Sequence, residues 1–239
     1  MGFPFEHFYK NEIIRHRLSV AASQASIPPT TRQSEPLTVG HLETLALALD
    51  IHNNHNHAVH WTMSLTGFWG LARRRELVTD GTAQTIPDII SLSDVSAVPT
   101  RSGESTGYAI RIRRPKVRTA HMQHLVFYPR SDPLCPAAAM SRLLAWHAAH
   151  HHPANQPLWT LSDGSYATSV WFIGIWVTAA AVQIGTSLLR SGGATEYAFE
   201  GYPFQVIQRF GRWSSDAFEQ YIRSHPAFLV EIMLRYRPT

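Results

Sequence analysis

Apolar residues recur at helical spacing in two long parts of the chain, and the period changes between them. A first helical pattern passes through Leu42, Leu45 and Leu49, a second covers residues 57–69, and a turn of helix follows at 73–78. After residue 136 the helical spacing returns and predicts helices over 137–150, 169–183, 190–199, 203–210 and 216–223. The chain is therefore expected to be mainly helical.

Three β-rich runs lie between the helical blocks. Residues 89–95 combine isoleucine, leucine and valine, residues 108–113 alternate apolar and polar side chains, and residues 123–128 form a third run. Gly103 and Gly107 interrupt this part of the chain at positions suited to turns. The pattern predicts a small antiparallel three-stranded sheet, which makes the fold class α+β and mainly α.

One apolar run, residues 170–184, resembles a membrane segment in composition but not in length. It contains Thr178 and Gln183 and is too short to cross a bilayer. We interpret it as a buried helix and expect no membrane partner.

The chain has 239 residues and a mass of 26.9 kDa, which favours one domain with an appendage. Residues 1–36 form the expected appendage, because 5–18 fit a basic helix and 25–36 are rich in Ser, Thr, Pro and Gln. Residues 37–239 form the expected main domain. The single cysteine, Cys135, excludes an intramolecular disulfide framework and fits a reducing compartment.

The formal net charge is +4 and the sequence pI is near 9.5, values compatible with a nucleic-acid partner. Two arginine-rich segments, 73–75 and 111–118, hold eight of the 21 lysines and arginines. They have two interpretations that composition leaves open, a solvated surface and a nucleic-acid contact.

Histidines form two dense clusters, at 52–60 and at 147–152. Neither cluster includes a cysteine or a nearby carboxylate at the spacing of zinc ligands. We therefore interpret both as polar residues at helix ends, and we expect no metal and no cofactor.

Three residues near the end of the chain suit chemistry on a phosphodiester. Arg190 lies in the segment Leu-Leu-Arg-Ser-Gly-Gly-Ala-Thr, Trp213 in Gly-Arg-Trp-Ser-Ser-Asp-Ala-Phe, and Tyr221 in Tyr-Ile-Arg. Arginine binds phosphate oxygens through paired charge-assisted hydrogen bonds. A tyrosine hydroxyl can attack phosphorus and form a covalent intermediate.

This order of motifs resembles the C-terminal half of a tyrosine recombinase (phage-type integrase) catalytic domain, in the branch found in eukaryotic mobile elements. The resemblance extends over residues 37–225. It implies a mainly helical catalytic core with a small sheet, bound to double-stranded DNA, that cuts through a 3′-phosphotyrosyl link. It also implies a four-subunit synapse, in which residues 227–237 either pack on their own subunit or exchange with a neighbour.

The family's first motif is matched by residues 67–77. On that match Arg73 is the first catalytic arginine and Glu76, three residues later, is the carboxylate that orients it from the same helix face. Lys116 lies where the family carries a hairpin lysine, a candidate acid for the leaving 5′-oxygen. The alternatives for Lys116 are a solvated basic loop and a plain phosphate contact.

Ser187 and Arg190 align with the family's His-x-x-Arg motif, so Arg190 is the second catalytic arginine and Ser187 replaces the histidine. A serine hydroxyl can donate a hydrogen bond, but it cannot exchange a proton near neutral pH as imidazole does. Trp213 takes a position where the family has histidine or tryptophan, with a core role as the alternative. Tyr221, eight residues further on, matches the nucleophile.

Three functions from different classes follow. The first is an active DNA strand transferase with Tyr221 as nucleophile. The second, motivated by Ser187, is a catalytically impaired or domesticated DNA-binding relic. The third is a helical protein with no DNA role. The eukaryotic pattern of the motifs implies nuclear residence.

Overall fold

A computed structural model describes residues 37–80, 89–101, 103, 106–113, 124–185, 187–215, 218–219, 222 and 230. The described helices are α1 (Val39–Ala48), α2 (His55–Trp69), α3 (Arg74–Leu77), α4 (Pro136–Ala149), α5 (Ser169–Ala180), α6 (Leu188–Phe199) and α7 (Phe204–Gly211). The described strands are β1 (Val95–Pro99), β2 (Thr106–Arg111) and β3 (His124–Phe127). The predicted appendage, residues 1–36, lies outside the described part of the chain.

Helix α2 is the centre of the core. It is buried at every position from Val59 to Trp69 and packs against α4, α6 and β3. Asn54 starts the helix, because its side-chain oxygen accepts a hydrogen bond from the His57 amide at 3.2 Å. The buried stretch also carries polar side chains, and the Thr62 and Ser64 hydroxyls donate to carbonyls of the preceding turn at 2.8 and 2.9 Å.

The sheet is antiparallel and three-stranded, as the sequence predicted, and its strand order is β1-β2-β3. Tyr108 and Ile110 on β2 face the core together with Leu125 and Phe127 on β3. Alternation of apolar and polar side chains is the pattern from which β2 was predicted.

The first strand was placed too early by the sequence, at residues 89–95. Residues Leu92–Asp94 instead form a short 3-10 helix, and β1 begins at Val95. The cause is the buried carboxylate of Asp94, which accepts a hydrogen bond from the Ser91 amide at 2.9 Å. Arg111 and Arg113 also bind this carboxylate, each at 2.6 Å. The polar turn thus displaces the strand.

The predicted buried helix at 169–183 is α5, and the expectation of full burial is wrong. Phe172 and Trp176 point into the core, whereas Val170 is 81% exposed and Val177 is 46% exposed. The helix ends early at Ala180, because Ala181 adopts a left-handed backbone with φ 53°. Within the described residues, no helix is long and apolar enough to cross a membrane.

The interpretation of the histidines as polar helix-end residues is also wrong for two of them. His60 and His147 are buried, and each Nε2 lies 3.0 Å from a backbone carbonyl oxygen, of Phe172 and Leu158 respectively. Hydrogen bonding to the backbone lets a neutral imidazole occupy the core. No group of three or more potential metal ligands occurs in the described residues.

Helices α2 and α6 approach closely because α6 carries two adjacent glycines. A Cβ on Gly193 would overlap the carbonyl oxygen of Phe68, and one on Gly192 would overlap that of Leu37. Only the absence of a side chain allows this contact. It brings the start of α6, which carries Arg190, against the end of α2.

Gly193→Ala is expected to lower the free energy of unfolding by about 3 kcal/mol, because the new methyl group forces the two helices apart. Urea denaturation measures the change. The matched control is Gly174→Ala on α5, where no atom lies within 4 Å of the added Cβ. There we expect a gain of up to about 1 kcal/mol from helix propensity. Equal effects at the two positions would contradict the close-packing argument.

The buried imidazole of His60 predicts acid sensitivity. Burial lowers its pKa from 6.5 to about 3, opposed by the hydrogen bond to the Phe172 carbonyl. The unfolded chain takes up the proton near pH 6.5, so the stability from neutral His60 is complete above that pH and is lost as pH falls toward 3. Relative to His60→Gln, the wild type should lose about 1.4 kcal/mol per pH unit in this window. Parallel stability curves for the two proteins would refute this.

Candidate active site

Arg73 and Glu76 meet at the start of α3. Arg73 is the residue that precedes the helix, in an extended conformation, so the two do not share a helix face as predicted. Instead the Glu76 carboxylate caps the turn. Oε2 accepts from the Arg73 amide at 2.9 Å, and Oε1 accepts from the Arg73 guanidinium at 2.8 Å. One carboxylate therefore holds both the backbone and the side chain of Arg73.

A second arginine, which the sequence analysis did not single out, binds the same carboxylate. Arg212 donates from Nη2 to Glu76 Oε2 at 2.6 Å, and both side chains are 5% exposed. The two residues are 136 positions apart, so no local spacing indicates the contact. The Arg73 side chain, 30% exposed, is the more accessible of the two guanidiniums.

The charge of Glu76 is fixed by these neighbours. Burial alone would raise its pKa, but Arg212, the Arg73 amide and guanidinium, and Arg190 together hold the pKa below the ordinary 4.5. Burial in turn lowers the pKa of Arg212, against the attraction of Glu76. The carboxylate is thus ionised at neutral pH and shared by surrounding guanidiniums.

Arg190 and Trp213 form the second half of the site. Arg190 is buried near the start of α6, and its guanidinium carbon lies 4.0 Å from the centroid of a Trp213 ring. This is a cation–π contact that fixes the plane of the guanidinium. The Trp213 ring crosses Gly211, where any Cβ would overlap it. The glycine before the Arg-Trp pair is therefore required by the position of the ring.

The structure supports the core interpretation of Trp213. Its ring packs on Phe218 with centroids 5.3 Å apart, so it belongs in part to the core. The ring also lies against the Arg190 guanidinium. Phe218 and Ile222 are also buried.

Ser187 directly precedes α6. Its carbonyl oxygen accepts from the Ser191 amide at 2.8 Å, and its own side chain forms no capping hydrogen bond. The Arg73–Glu76 pair and the Arg190–Trp213 pair are close enough for the Arg190 charge to lower the pKa of Glu76. Ser187 lies one turn before Arg190. Lys116 and Tyr221 lie outside the described residues.

No protein-family profile matches the chain, and no curated protein matches it in sequence. Solved structures do match. The chain is similar to XerA recombinase with a TM-score of 0.57 and 16% identity, over 95% of this chain and 82% of that one.

XerH site-specific recombinase, in a post-cleavage complex with its palindromic difH substrate, is similar with a TM-score of 0.55 and 14% identity. That match covers 89% of this chain and 57% of the XerH chain, so the chain spans little more than half of XerH. The pre-cleavage complex of XerH gives a TM-score of 0.53. These likenesses show that the described fold is that of a tyrosine recombinase catalytic core.

Removal of the Glu76 carboxylate should destabilise the folded protein. We expect Glu76→Gln to lower the free energy of unfolding at pH 7 by about 3 kcal/mol or more, because a buried guanidinium loses its partner. Since the folded pKa is depressed, the contribution of Glu76 is complete above pH 4.5 and is lost as pH falls through its folded pKa. The difference between wild type and variant should therefore shrink on acidification, as measured by urea denaturation at several pH values.

Glu200→Gln is the control for this prediction. Glu200 pairs with Arg130 at 2.6 Å, but its side chain is 25% exposed. Its replacement should cost about 1 kcal/mol or less. If the two variants lose the same stability at pH 7, burial of the Glu76 pair is not what makes it strong.

Proposed function

We propose that this protein cuts and rejoins double-stranded DNA, with Tyr221 as nucleophile and a 3′-phosphotyrosyl intermediate. The observation that carries the proposal is the convergence of Arg73, Glu76, Arg190 and Trp213 in a fold shared with site-specific recombinases. The similar XerH structures hold that enzyme with its DNA substrate, before and after cleavage. This supports duplex DNA as the partner here.

Each residue has a defined part in the proposed reaction. The Tyr221 oxygen attacks phosphorus, and the bond from phosphorus to the 5′-oxygen breaks. The 5′-hydroxyl takes its proton from Lys116, while the phenolic proton passes to water. Arg73 and Arg190 bind the non-bridging oxygens and stabilise the charge that develops on them. Rejoining is the reverse reaction, in which the 5′-hydroxyl attacks the phosphotyrosine.

The rigidity of the two arginines supports this assignment. Arg73 is held by two oxygens of one carboxylate, and Arg190 lies against an aromatic ring. Groups that are already oriented need no rearrangement when the transition state forms, which is the main source of electrostatic catalysis. Trp213 additionally offers an indole N–H that can donate to a phosphate oxygen.

Ser187 makes the proposed enzyme slow rather than inactive. It supplies a hydroxyl donor where the family has a proton-exchanging imidazole, and loss of a general base costs about two to four orders of magnitude in rate. We further propose that four subunits assemble on DNA, as the family resemblance implies, and that the protein derives from a eukaryotic mobile element and acts in the nucleus.

A duplex with a nick next to the cleavage site tests the proposal, because the small fragment diffuses away and traps the covalent complex. With a library of such substrates, we expect the wild type to form a protein–DNA adduct on a denaturing gel. Tyr221→Phe should abolish the adduct and retain DNA binding, since only the nucleophile is lost. Ser187→His should increase the rate of adduct formation by about tenfold or more.

Tyr202→Phe is the matched control. The Tyr202 hydroxyl is hydrogen-bonded to the Tyr128 hydroxyl at 2.9 Å and not to Arg190 or Trp213. The variant should form the adduct at the wild-type rate. Salt-sensitive duplex binding without an adduct, in both the wild type and Ser187→His, would assign the protein to the class of inert DNA-binding relics. Absence of duplex binding at low salt would exclude a DNA role.

A further inference from the structure

We infer that Arg212 is a positioning residue of the site, which ties Arg73 to Trp213 and so sets the two phosphate-binding arginines relative to each other. The inference rests on the proposed function. Arg212 is buried, and its guanidinium donates hydrogen bonds to protein carbonyls and to the Glu76 carboxylate. It therefore acts through these neighbours and not on the substrate.

On one side, Arg212 holds the segment that leads to Arg73. Nη2 donates to the Leu71 carbonyl at 3.2 Å as well as to Glu76, and Nη1 lies 3.3 Å from the Gly70 carbonyl. These carbonyls belong to the turn that ends α2. The same guanidinium therefore fixes both the backbone before Arg73 and the carboxylate that orients it.

On the other side, Arg212 sets the position of Trp213. It ends α7 in a left-handed conformation with φ 60°, which is unfavourable for a residue with a side chain. Its buried hydrogen bonds compensate for that conformation. Because the backbone turns at this residue, the Arg212 side chain enters the core and the next ring reaches Arg190.

Only a guanidinium fits the acceptors around it. Arg212 Nη1 also lies within 3.5 Å of the His124 and Phe210 carbonyls, so two nitrogens of one planar group serve four carbonyls and a carboxylate. A lysine ammonium has one nitrogen and cannot reach acceptors on both sides. The geometry thus specifies arginine at this position.

The two guanidiniums that share the Glu76 carboxylate, those of Arg212 and Arg73, differ in exposure. Arg212 is fully inside the protein, whereas the Arg73 side chain is 30% exposed. Because Glu76 balances the charge of Arg212, the positive charge of Arg73 remains available at the accessible face of its side chain. Loss of Arg212 removes a positive neighbour of Glu76 and raises the pKa of that carboxylate.

The experiment compares Arg212→Gln with Arg209→Gln, an exposed arginine on the same helix. Single-turnover adduct formation is measured on the nicked duplex at saturating DNA, from pH 5 to 8. Arg212→Gln should react about tenfold to a hundredfold more slowly, because misplaced groups lose transition-state contacts. Its affinity for DNA should stay unchanged and the acid limb of its rate profile should move to higher pH. Arg209→Gln should match the wild type in both respects.

A double-variant cycle separates positioning from simple destabilisation. If Arg212 acts through Glu76, then Arg212→Gln should slow a Glu76→Gln protein by less than about threefold. An undiminished loss in that background overturns the inference, as does a wild-type rate profile for Arg212→Gln. If Arg212→Gln fails to fold, Arg212→Lys replaces it. This variant keeps the charge and loses the fork, so its adduct rate should still fall about tenfold to a hundredfold while its acid limb stays at the wild-type pH, and a wild-type rate overturns the inference.

A readout independent of cleavage keeps the two proposals separate. The carboxyl ¹³C resonance of Glu76, assigned by its absence in Glu76→Gln, is titrated in the wild type and in the Arg212 variant. A wild type that forms no adduct overturns the proposed function. The inference on Arg212 then stands only if the Glu76 titration moves to higher pH in the variant, and an unmoved titration overturns it.

Discussion

The buried carboxylate of Glu76 is the constraint on which the rest of the site depends. A carboxylate removed from water is costly unless it is paired and hydrogen-bonded. Here the pairing comes from Arg212 and from both the amide and the guanidinium of Arg73. The end of α2, the turn of α3 and the turn after α7 must therefore meet at one point, since displacement of any of them leaves a charge unpaired in the interior.

The site also requires α6 to lie close to the Glu76 carboxylate, and close packing at glycines makes this possible. Gly192 and Gly193 remove the side chains that would hold α6 away from α2 and from Leu37, and Gly211 does the same for the Trp213 ring. These three glycines thus allow close approach of the neighbouring groups, and flexibility is not their role here. Because protein interiors are packed as densely as organic crystals, the spacing between α6 and α2 is tightly constrained. Arg190 reaches Trp213 as a consequence.

The basic residues of the chain divide according to what binds them. Arg111 and Arg113 are anchored on the buried Asp94 carboxylate, at the end of β2 that leads toward the segment with Lys116. Arg130 is bound by Asp132 and Glu200 and lies over the Trp69 ring. Several guanidiniums that composition alone would assign to solvent or to DNA are thus bound to carboxylates, although the Arg111 side chain stays 56% exposed. The number of lysines and arginines therefore overstates how many lack a partner within the protein.

The sequence by itself determined the helices within the described residues, the three-stranded sheet and the local Arg73–Glu76 pair. These depend on periodicity and on short spacings, such as that between Arg73 and Glu76, which the chain itself carries. Only the tertiary structure decided the position of β1, the exposed face of α5, the burial of His60 and the role of Arg212. Three of these depend on a partner distant in sequence: Arg111 and Arg113 for Asp94, the Phe172 carbonyl for His60, and Glu76 for Arg212. A side chain that is satisfied by a distant backbone or carboxylate leaves no periodic signal, so its burial follows from the fold and not from its neighbours along the chain.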